Sequence, residues 1–400
     1  MTTLVLAFAS NAFAGLVSTL MAAYLPDSVR DLLGSSAVVD VSHVGSYVGS
    51  LFLVGWAFGG VLLGWAGDRF GRIRSFTASV FIYAVFTLTA AWSPTWYVLM
   101  ACRFLAGIGV GATLVLSAVV VAEAWDKRTR AVALGIVAIG YPIGIVSSGL
   151  VTYAVADWRT GFFVGVLPLL LAVLCGMLLK ESDQWHPMKH THPAGGLGHE
   201  VRQLLAPANR VDFLVGATIF GAMLVGLWAT FSWLPTWAQS LVGAGEAGQQ
   251  EGGLVVMLLG LGGITGGAVS GFVANALGRK RALLLTFAGC FLASFLLFKT
   301  NDVFTPRVYA ETAFLALFFG ISQGILTAYI PELFPTPIRS TATGVCFNAG
   351  RLVTAGAVFF VGVLVPVLGG YGHAVFVFSL TYVLGFVVTL FGKETRGKVL

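Results

Sequence analysis

Twelve runs of about twenty mostly apolar residues follow one another along this chain, at roughly 4–25, 44–66, 75–93, 96–122, 131–155, 160–179, 213–240, 253–275, 282–299, 308–330, 341–368 and 371–391. A helix needs that length to cross the hydrocarbon core of a bilayer. In hydrocarbon each backbone donor and acceptor has to be satisfied inside its own segment, and a helix does this. A soluble fold fails for want of a polar surface: 10% of the 400 residues are charged and 57% are hydrophobic, where soluble domains carry about 25% charged residues. The 51 glycines suit helices that approach closely in lipid. The predicted fold class is all-α integral membrane, with twelve transmembrane helices in two six-helix, pseudo-symmetric bundles.

Seventeen of the 23 lysines and arginines fall in the even-numbered connections, the segment after span six and the C-terminus. Examples are Arg69, Arg72 and Arg74; Lys127, Arg128 and Arg130; Arg279, Lys280 and Arg281; and Lys393, Arg396 and Lys398. Positive charge is retained on the cytoplasmic side, so both termini and the middle segment are expected in the cytoplasm of a multi-pass protein of the cell's inner membrane. Ala12-Phe13-Ala14 has the small residues of a cleavage site, but no Lys or Arg precedes it, so a signal peptide is not expected.

The one long polar stretch, 180–212, holds Pro187, Pro193, Gly195, Gly196 and four histidines, His186, His190, His192 and His199. Their spacing matches no strong metal-ligand motif, and a solvated linker is expected between an N-terminal bundle (1–179) and a C-terminal bundle (213–400). Cys102, Cys175, Cys290 and Cys346 all lie in apolar runs and read as small core residues. No metal or other cofactor is expected, and no nucleic-acid partner.

The halves repeat one another. Gly64, Asp68, Gly71 and Arg72 after span two recur as Gly271, Asn275, Gly278 and Arg279 after span eight. At nearly the same offset Glu123, Arg130 and Gly135 recur as Glu332, Arg339 and Gly344, and Glu181 after span six recurs as Glu394 after span twelve. Parallel halves of this kind are a layout of alternating-access transporters. Physically, 64–72 reads as a tight turn at the membrane face, with Asp68 placed to pair with Arg130 and Glu123 with Arg72. Such pairs are expected to hold the helix ends together and to break when the halves rock. Ordinary positive-inside loop charge is the alternative.

The stretch 64–74 resembles the loop signature of the major facilitator superfamily, with Ala66, Gly67 and Ile73 as departures and a weaker copy at 271–281. Arg103-Phe-Leu-Ala-Gly107-Ile-Gly109-Val-Gly111 resembles its fourth-helix motif, and Lys180-Glu181-Ser182 and Lys393-Glu394-Thr395 are similar to segments after helices six and twelve of sugar porters. Pro331-Glu332-Leu333-Phe334-Pro335-Thr336, with Arg339 and Gly350-Arg351, is similar to the signature of the organic-acid branch, which includes aromatic acid and sialic acid carriers. The resemblance implies a secondary transporter, usually a monomer, and a coupling or gating role for Arg103. A structural link between spans one and four accounts for Arg103 equally well.

A charge in hydrocarbon costs at least about 2.5–3.5 kcal/mol, so an intramembrane arginine faces a polar interior. Arg351 lies well inside span eleven with Asn348 one turn away, and its guanidinium is suited to grip a carboxylate bidentately. The alternative is a structural bond to a neighbouring helix. Further candidates for the cavity wall are Asn11, Tyr24, Ser117, Tyr141, Gln323 and Tyr329, with Trp228 and Trp233 as apolar wall. Pro142 after Tyr141 relaxes span five by removing a donor.

Carriers of aromatic acids usually place acidic residues early in helix one, where this chain has Asn11-Ala12-Phe13-Ala14. Proton coupling therefore falls to Asp27 or Glu311 in the outer vestibule, or is absent, leaving facilitated diffusion or exchange. The reading that follows is a secondary transporter of a small organic anion. A sugar or drug carrier with a structural Arg351 is the first alternative, disfavoured by few Gln and Asn residues in spans five, seven and eight and by no acid at mid-depth. A receptor that kept the fold would need a soluble output domain, which this chain does not show. An enzyme is not expected: no Ser-His-Asp set, paired carboxylates or P-loop spacing is present.

Overall fold

The computed structural model describes residues 1–126, 128–181, 204, 206–207, 209–243, 245–335 and 338–396. Among these, all regular structure is helical, and twelve helices are long and apolar enough to span a membrane. They are α1 Thr2–Leu33, α2 Val38–Phe70, α3 Arg72–Ala90, α4 Trp96–Ala124, α5 Arg130–Ala154 and α6 Trp158–Leu178 in the first half. In the second they are α7 Arg210–Val242, α8 Glu246–Leu277, α9 Arg279–Lys299, α10 Pro306–Leu333, α11 Arg339–Leu368 and α12 Tyr371–Phe391. The segment read as a linker lies largely outside the described residues, as do His186, His190, His192 and His199.

The helices outrun the apolar stretches that announce them. α1 continues through Pro26, Asp27 and Arg30 to Leu33, beyond the expected end near 25. At 33 residues, α2 and α7 reach roughly 50 Å, against a hydrocarbon core of about 30 Å. Their polar ends stand at headgroup depth, where hydropathy no longer separates helix from loop.

The two six-helix bundles use the same packing scheme. α2 packs on α4 and α1 on α5; α8 on α10 and α7 on α11 repeat those contacts. The α2–α4 seam shows why glycine is needed. Gly55 and Gly59 face the backbone at Phe104 and Ile108, while Gly107 and Gly111 face the backbone at Phe52 and Trp56. A Cβ at any of the four would overlap a carbonyl group of the opposite helix.

Between the bundles, α5 meets α8 and α2 meets α11. They close at one end only. Away from the basic loops, Gly149 lies against Gly253 and Gly362 against Ser46. At that far end Gln239 Nε2 donates to Ala23 O (2.6 Å), and Gln249 Nε2 donates to Thr152 O (3.0 Å) and Val155 O (2.7 Å). Toward the basic end the same helices diverge, and Gly135 of α5 and Gly267 of α8 have open space beside them.

Candidate functional site

A cavity of about 560 Å³ fills the gap between the bundles. Trp56 (α2), Tyr141 (α5), Trp228 and Phe231 (α7), Phe319 (α10) and Arg351 (α11) are among its walls. The aromatic rings support one another. Trp56 meets Trp228 edge-on at 5.3 Å and Tyr141 at 5.9 Å, Trp228 lies 6.0 Å from Phe231, and Phe231 lies 6.1 Å from Phe319. Polar groups are few. Tyr141 Oη and Gln323 Nε2 have no hydrogen-bond partner among the described residues. Arg351 is the one charged residue among the described residues of the lining, and no hydrogen bond or ion pair holds it to another described residue. A guanidinium with no bonded partner among the described residues has the chemistry to accept an anion, and the aromatic faces beside it form an apolar slot.

Arg103 is buried behind this cavity. Its Nη1 donates to Val17 O (2.9 Å) and its Nη2 to Ser18 O (3.5 Å), and its guanidinium lies 4.2 Å from the Phe52 ring centre. It ties α4 to α1 and α2, and two backbone carbonyls and a ring face take the place of a carboxylate partner.

At the basic end the sequence repeat becomes a repeat of contacts. Arg72 pairs with Glu123, and Arg279 with Glu332 at 3.3 Å. Arg72 also reaches Asp68 (3.4 Å), as Arg279 reaches Asn275 (3.2 Å). Glu181 accepts the first N–H groups of α3, from Arg72, Ile73 and Arg74 at 3.0–3.1 Å. Glu394 does the same for α9, from Arg279 (2.9 Å) and Lys280 (3.2 Å). Each carboxylate thus serves otherwise unsatisfied donors at the positive end of a helix. Gly71 (φ +117°) and Gly278 (φ +87°) make the turns, and a side chain at either would also press on that carboxylate.

With this geometry in place, the comparisons with known proteins are specific. The family model described as Major Facilitator Superfamily matches residues 3–358. The chain belongs to the major facilitator superfamily. It is a multi-pass membrane transporter, not an enzyme. It is 28% identical to the cis,cis-muconate transport protein of Acinetobacter baylyi over 87% of this chain and 85% of that one. It is 30% identical to the 3-(3-hydroxy-phenyl)propionate transporter of Escherichia coli over 75% of this chain and 74% of that one. The crystal structure of a D-xylose-proton symporter superposes with a TM-score of 0.81, at 19% identity and 99% coverage of both chains, which is a likeness of fold.

In this major facilitator the cavity brings together four of the expected binding residues, Arg351, Gln323, Tyr141 and Trp228. Three others lie elsewhere. Asn348 does not line the cavity, and its Nδ2 donates to Gly344 O of its own helix (3.0 Å). Asn11 joins helices instead, donating to Val137 O (3.1 Å) and accepting from Ser117 (3.3 Å). Trp233 is core: it packs at Gly45 and Gly362 and stacks on Tyr371 at 5.8 Å. Tyr24 and Tyr329 donate to backbone carbonyls of Val155 and Lys393.

Of the pairs expected at the basic end, Arg72–Glu123 is formed. Arg72–Glu123 and Arg279–Glu332 each lie within one bundle, and both are formed while the basic end stands open. Arg130 makes no ion pair among the described residues, so its expected pairing with Asp68 is not formed, and Arg339 Nε donates to Phe334 O (3.4 Å). Glu311 does not face the cavity; Arg307 and Asn301 hold its two oxygens, each at 2.6 Å. Asp27 pairs with Arg30 at 3.1 Å, with its Oδ2 buried and unpartnered.

Trp56, Phe231 and Phe319 went unrecognised in the sequence. A mid-span tryptophan signals burial inside the protein, because tryptophan ordinarily collects at the membrane interfaces, but it does not separate cavity wall from core.

Proposed function

We propose that the protein carries a small organic anion by alternating access, holding a carboxylate at Arg351 and an apolar, preferably planar, body between Trp56, Trp228, Phe231 and Phe319. The observation that carries this reading is an arginine with no bonded partner among the described residues, in a cavity whose described lining has no acid. The substrates named for the muconate and hydroxyphenylpropionate relatives, both carboxylates with a planar conjugated or aromatic portion, support it. A sugar fits less well, since Gln323 is the one amide on the wall and each hydroxyl left without a partner weakens binding. A cationic drug would meet Arg351 with no acid to offset it.

Residues 1–179 and 213–400 are taken as the two rocking bundles, joined by a cytoplasmic linker over 180–212. The basic end then faces the cytoplasm of an inner-membrane protein working as a monomer, and the open cavity is the inward-facing form. Trp56 and Trp228 supply the readout for a test. Titrating detergent-solubilised protein with cis,cis-muconate and 3-(3-hydroxyphenyl)propionate should quench tryptophan fluorescence, xylose should not, and Arg351→Ala should abolish the response. Quenching that survives Arg351→Ala would remove the anion site.

A further inference from the structure

A second, smaller cavity of about 40 Å³ lies between the central one and the closed far end. Leu53 of α2 and Trp228 of α7 form a wall common to both. Arg103 of α4, Ser18 of α1 and Ser232 of α7 bring polar groups to it, so the chamber is shared between the two bundles. Arg103 is buried and makes no ion pair among the described residues. Its Nη1 and Nη2 donate to Val17 O and Ser18 O, but its buried Nε–H has no partner among the described residues. The Ser18 hydroxyl spends its hydrogen on Ala14 O (2.6 Å), whereas the Ser232 hydroxyl is bonded to no described residue.

A guanidinium taken out of water needs a counter-charge as well as hydrogen bonds. The two carbonyls and the Phe52 ring meet part of that need, and none of them carries a net charge. The chamber is far too small for a carboxylate attached to a ring, yet it exceeds the roughly 10–15 Å³ that a single water requires. That is room for one small ion. A water beside Nε would accept one hydrogen bond and leave the charge uncompensated. A halide would accept from the Arg103 Nε–H and the Ser232 hydroxyl together and neutralise the cation.

We infer that the protein has a site for a small monovalent inorganic anion, of the size of chloride, between Arg103 and Ser232. It is separate from the anion site proposed at Arg351 and does not depend on it. Its donors come from α4 of one bundle and α7 of the other, so the ion adds a bond across the closed far end. When the bundles part there the donors separate and the ion is released. Chloride therefore favours the form open at the basic end, because it binds that form better.

The test follows thermal unfolding of the detergent-solubilised full chain as sodium chloride replaces sodium gluconate at fixed ionic strength, gluconate being too large for the chamber. The midpoint should rise saturably, by about 2–4 °C at chloride well above half-saturation. Ser232→Val removes one donor to a charged acceptor and should raise the half-saturating chloride concentration at least about tenfold. Arg103→Gln should melt with no chloride dependence, and Arg351→Ala should keep the full response. A midpoint indifferent to chloride would mean that the chamber holds water, and would overturn the site. A response lost in Arg351→Ala but kept in Ser232→Val would place the halide in the central cavity and overturn it equally. Should Arg103→Gln fail to fold, crystals of the unsubstituted protein grown in sodium bromide decide the matter: an anomalous peak beside Arg103 Nε is expected, and its absence would sink the proposal. Either failure leaves the reading of Arg351 untouched.

Discussion

Gln249 of α8 donates its Nε2 hydrogen to the carbonyl oxygen of Val155, at the end of α5, across the divide between the bundles at 2.7 Å. The same oxygen accepts from Tyr24 of α1 at 2.8 Å, and Gln249 reaches Thr152 O as well. A glutamine from one half thus caps helix-terminal carbonyls of the other at the closed end. Gln249→Ala removes two interbundle hydrogen bonds, each worth about 0.5–1.5 kcal/mol net, and should shift the population toward the form open at the far end. A cysteine introduced at Ala138, on the cavity wall, provides the reporter, since Cys102, Cys175, Cys290 and Cys346 are buried. Maleimide labelling there should slow about 3- to 10-fold in the Gln249→Ala background; an unchanged rate would mean that the far end is held by packing alone.

Glu181 and Glu394 make a matched pair of predictions. Replacing either by Gln keeps the shape and removes the charge that the N-terminus of α3 or α9 favours, at a cost of about 0.5–2 kcal/mol. Thermal unfolding in detergent should show a lowered midpoint for Glu181→Gln and a comparable one for Glu394→Gln. Gly71→Ala should cost more than either, because it adds a side chain at φ +117° and presses on the Glu181 carboxylate. If the two glutamine variants differed widely, the repeat of contacts would not be a repeat of energetics.

The architecture and these end networks were legible in the sequence for a common reason. Span length, loop charge and the recurrence of Asp68, Arg72, Glu123 and Glu181 as Asn275, Arg279, Glu332 and Glu394 are one-dimensional facts that lipid and helix geometry turn directly into structure. The cavity wall is different. Asn11 and Gln323 are both mid-span amides, yet one bonds two neighbouring helices and the other faces the cavity. The distinction lies in helix rotation, which apolar composition on all sides does not encode. Trp56 and Trp233 were indistinguishable by residue type for the same cause, and the span boundaries drifted because polar helix ends at headgroup depth look like loops.

Trp56 and Trp233 should therefore separate in experiment. Trp56→Ala removes a ring that lies against Trp228 and Tyr141 at the cavity, and should weaken muconate binding about tenfold, on the scale of an aromatic pair of ~0.5–1.5 kcal/mol. Trp233→Ala opens the core between Gly45, Gly362 and Tyr371, costing about 3–5 kcal/mol of stability with affinity of the folded fraction unchanged. Fluorescence-independent binding, by calorimetry, and thermal unfolding distinguish the two, and a reversed pattern would misplace the cavity.

Asp157 carries the pH prediction, from outside the membrane spans. Hydrogen bonding from the Thr160 hydroxyl (2.6 Å), together with the Thr160 N–H (2.8 Å), holds its carboxyl below the usual carboxylate range as it caps α6. A depressed folded-state pKa gives stability that is present above the ordinary value, about 3.9, and is lost as pH falls through the depressed one. Asp157→Asn should lower the unfolding midpoint at pH 6, and the gap to the unsubstituted protein should narrow below roughly pH 4. A gap independent of pH would show that the cap works without its charge.

Arg103 distinguishes a positioning role from a ligand-binding one. Its guanidinium is 2% exposed and has committed two hydrogens to Val17 O and Ser18 O. An anion in the central cavity would have to draw it off both carbonyls, each then left buried without that donor. Arg103→Gln keeps one donor pair and removes the charge; Arg103→Ala removes both, and should destabilise the protein by about 3–5 kcal/mol, the range for disrupting a buried charged network. Muconate affinity of Arg103→Gln should stay within about threefold of the unsubstituted protein, while Arg351→Gln loses binding altogether. Should Arg103→Gln abolish binding in a protein that still melts cooperatively, the second arginine would belong to the anion site, and a substrate with two carboxylates would be held at both.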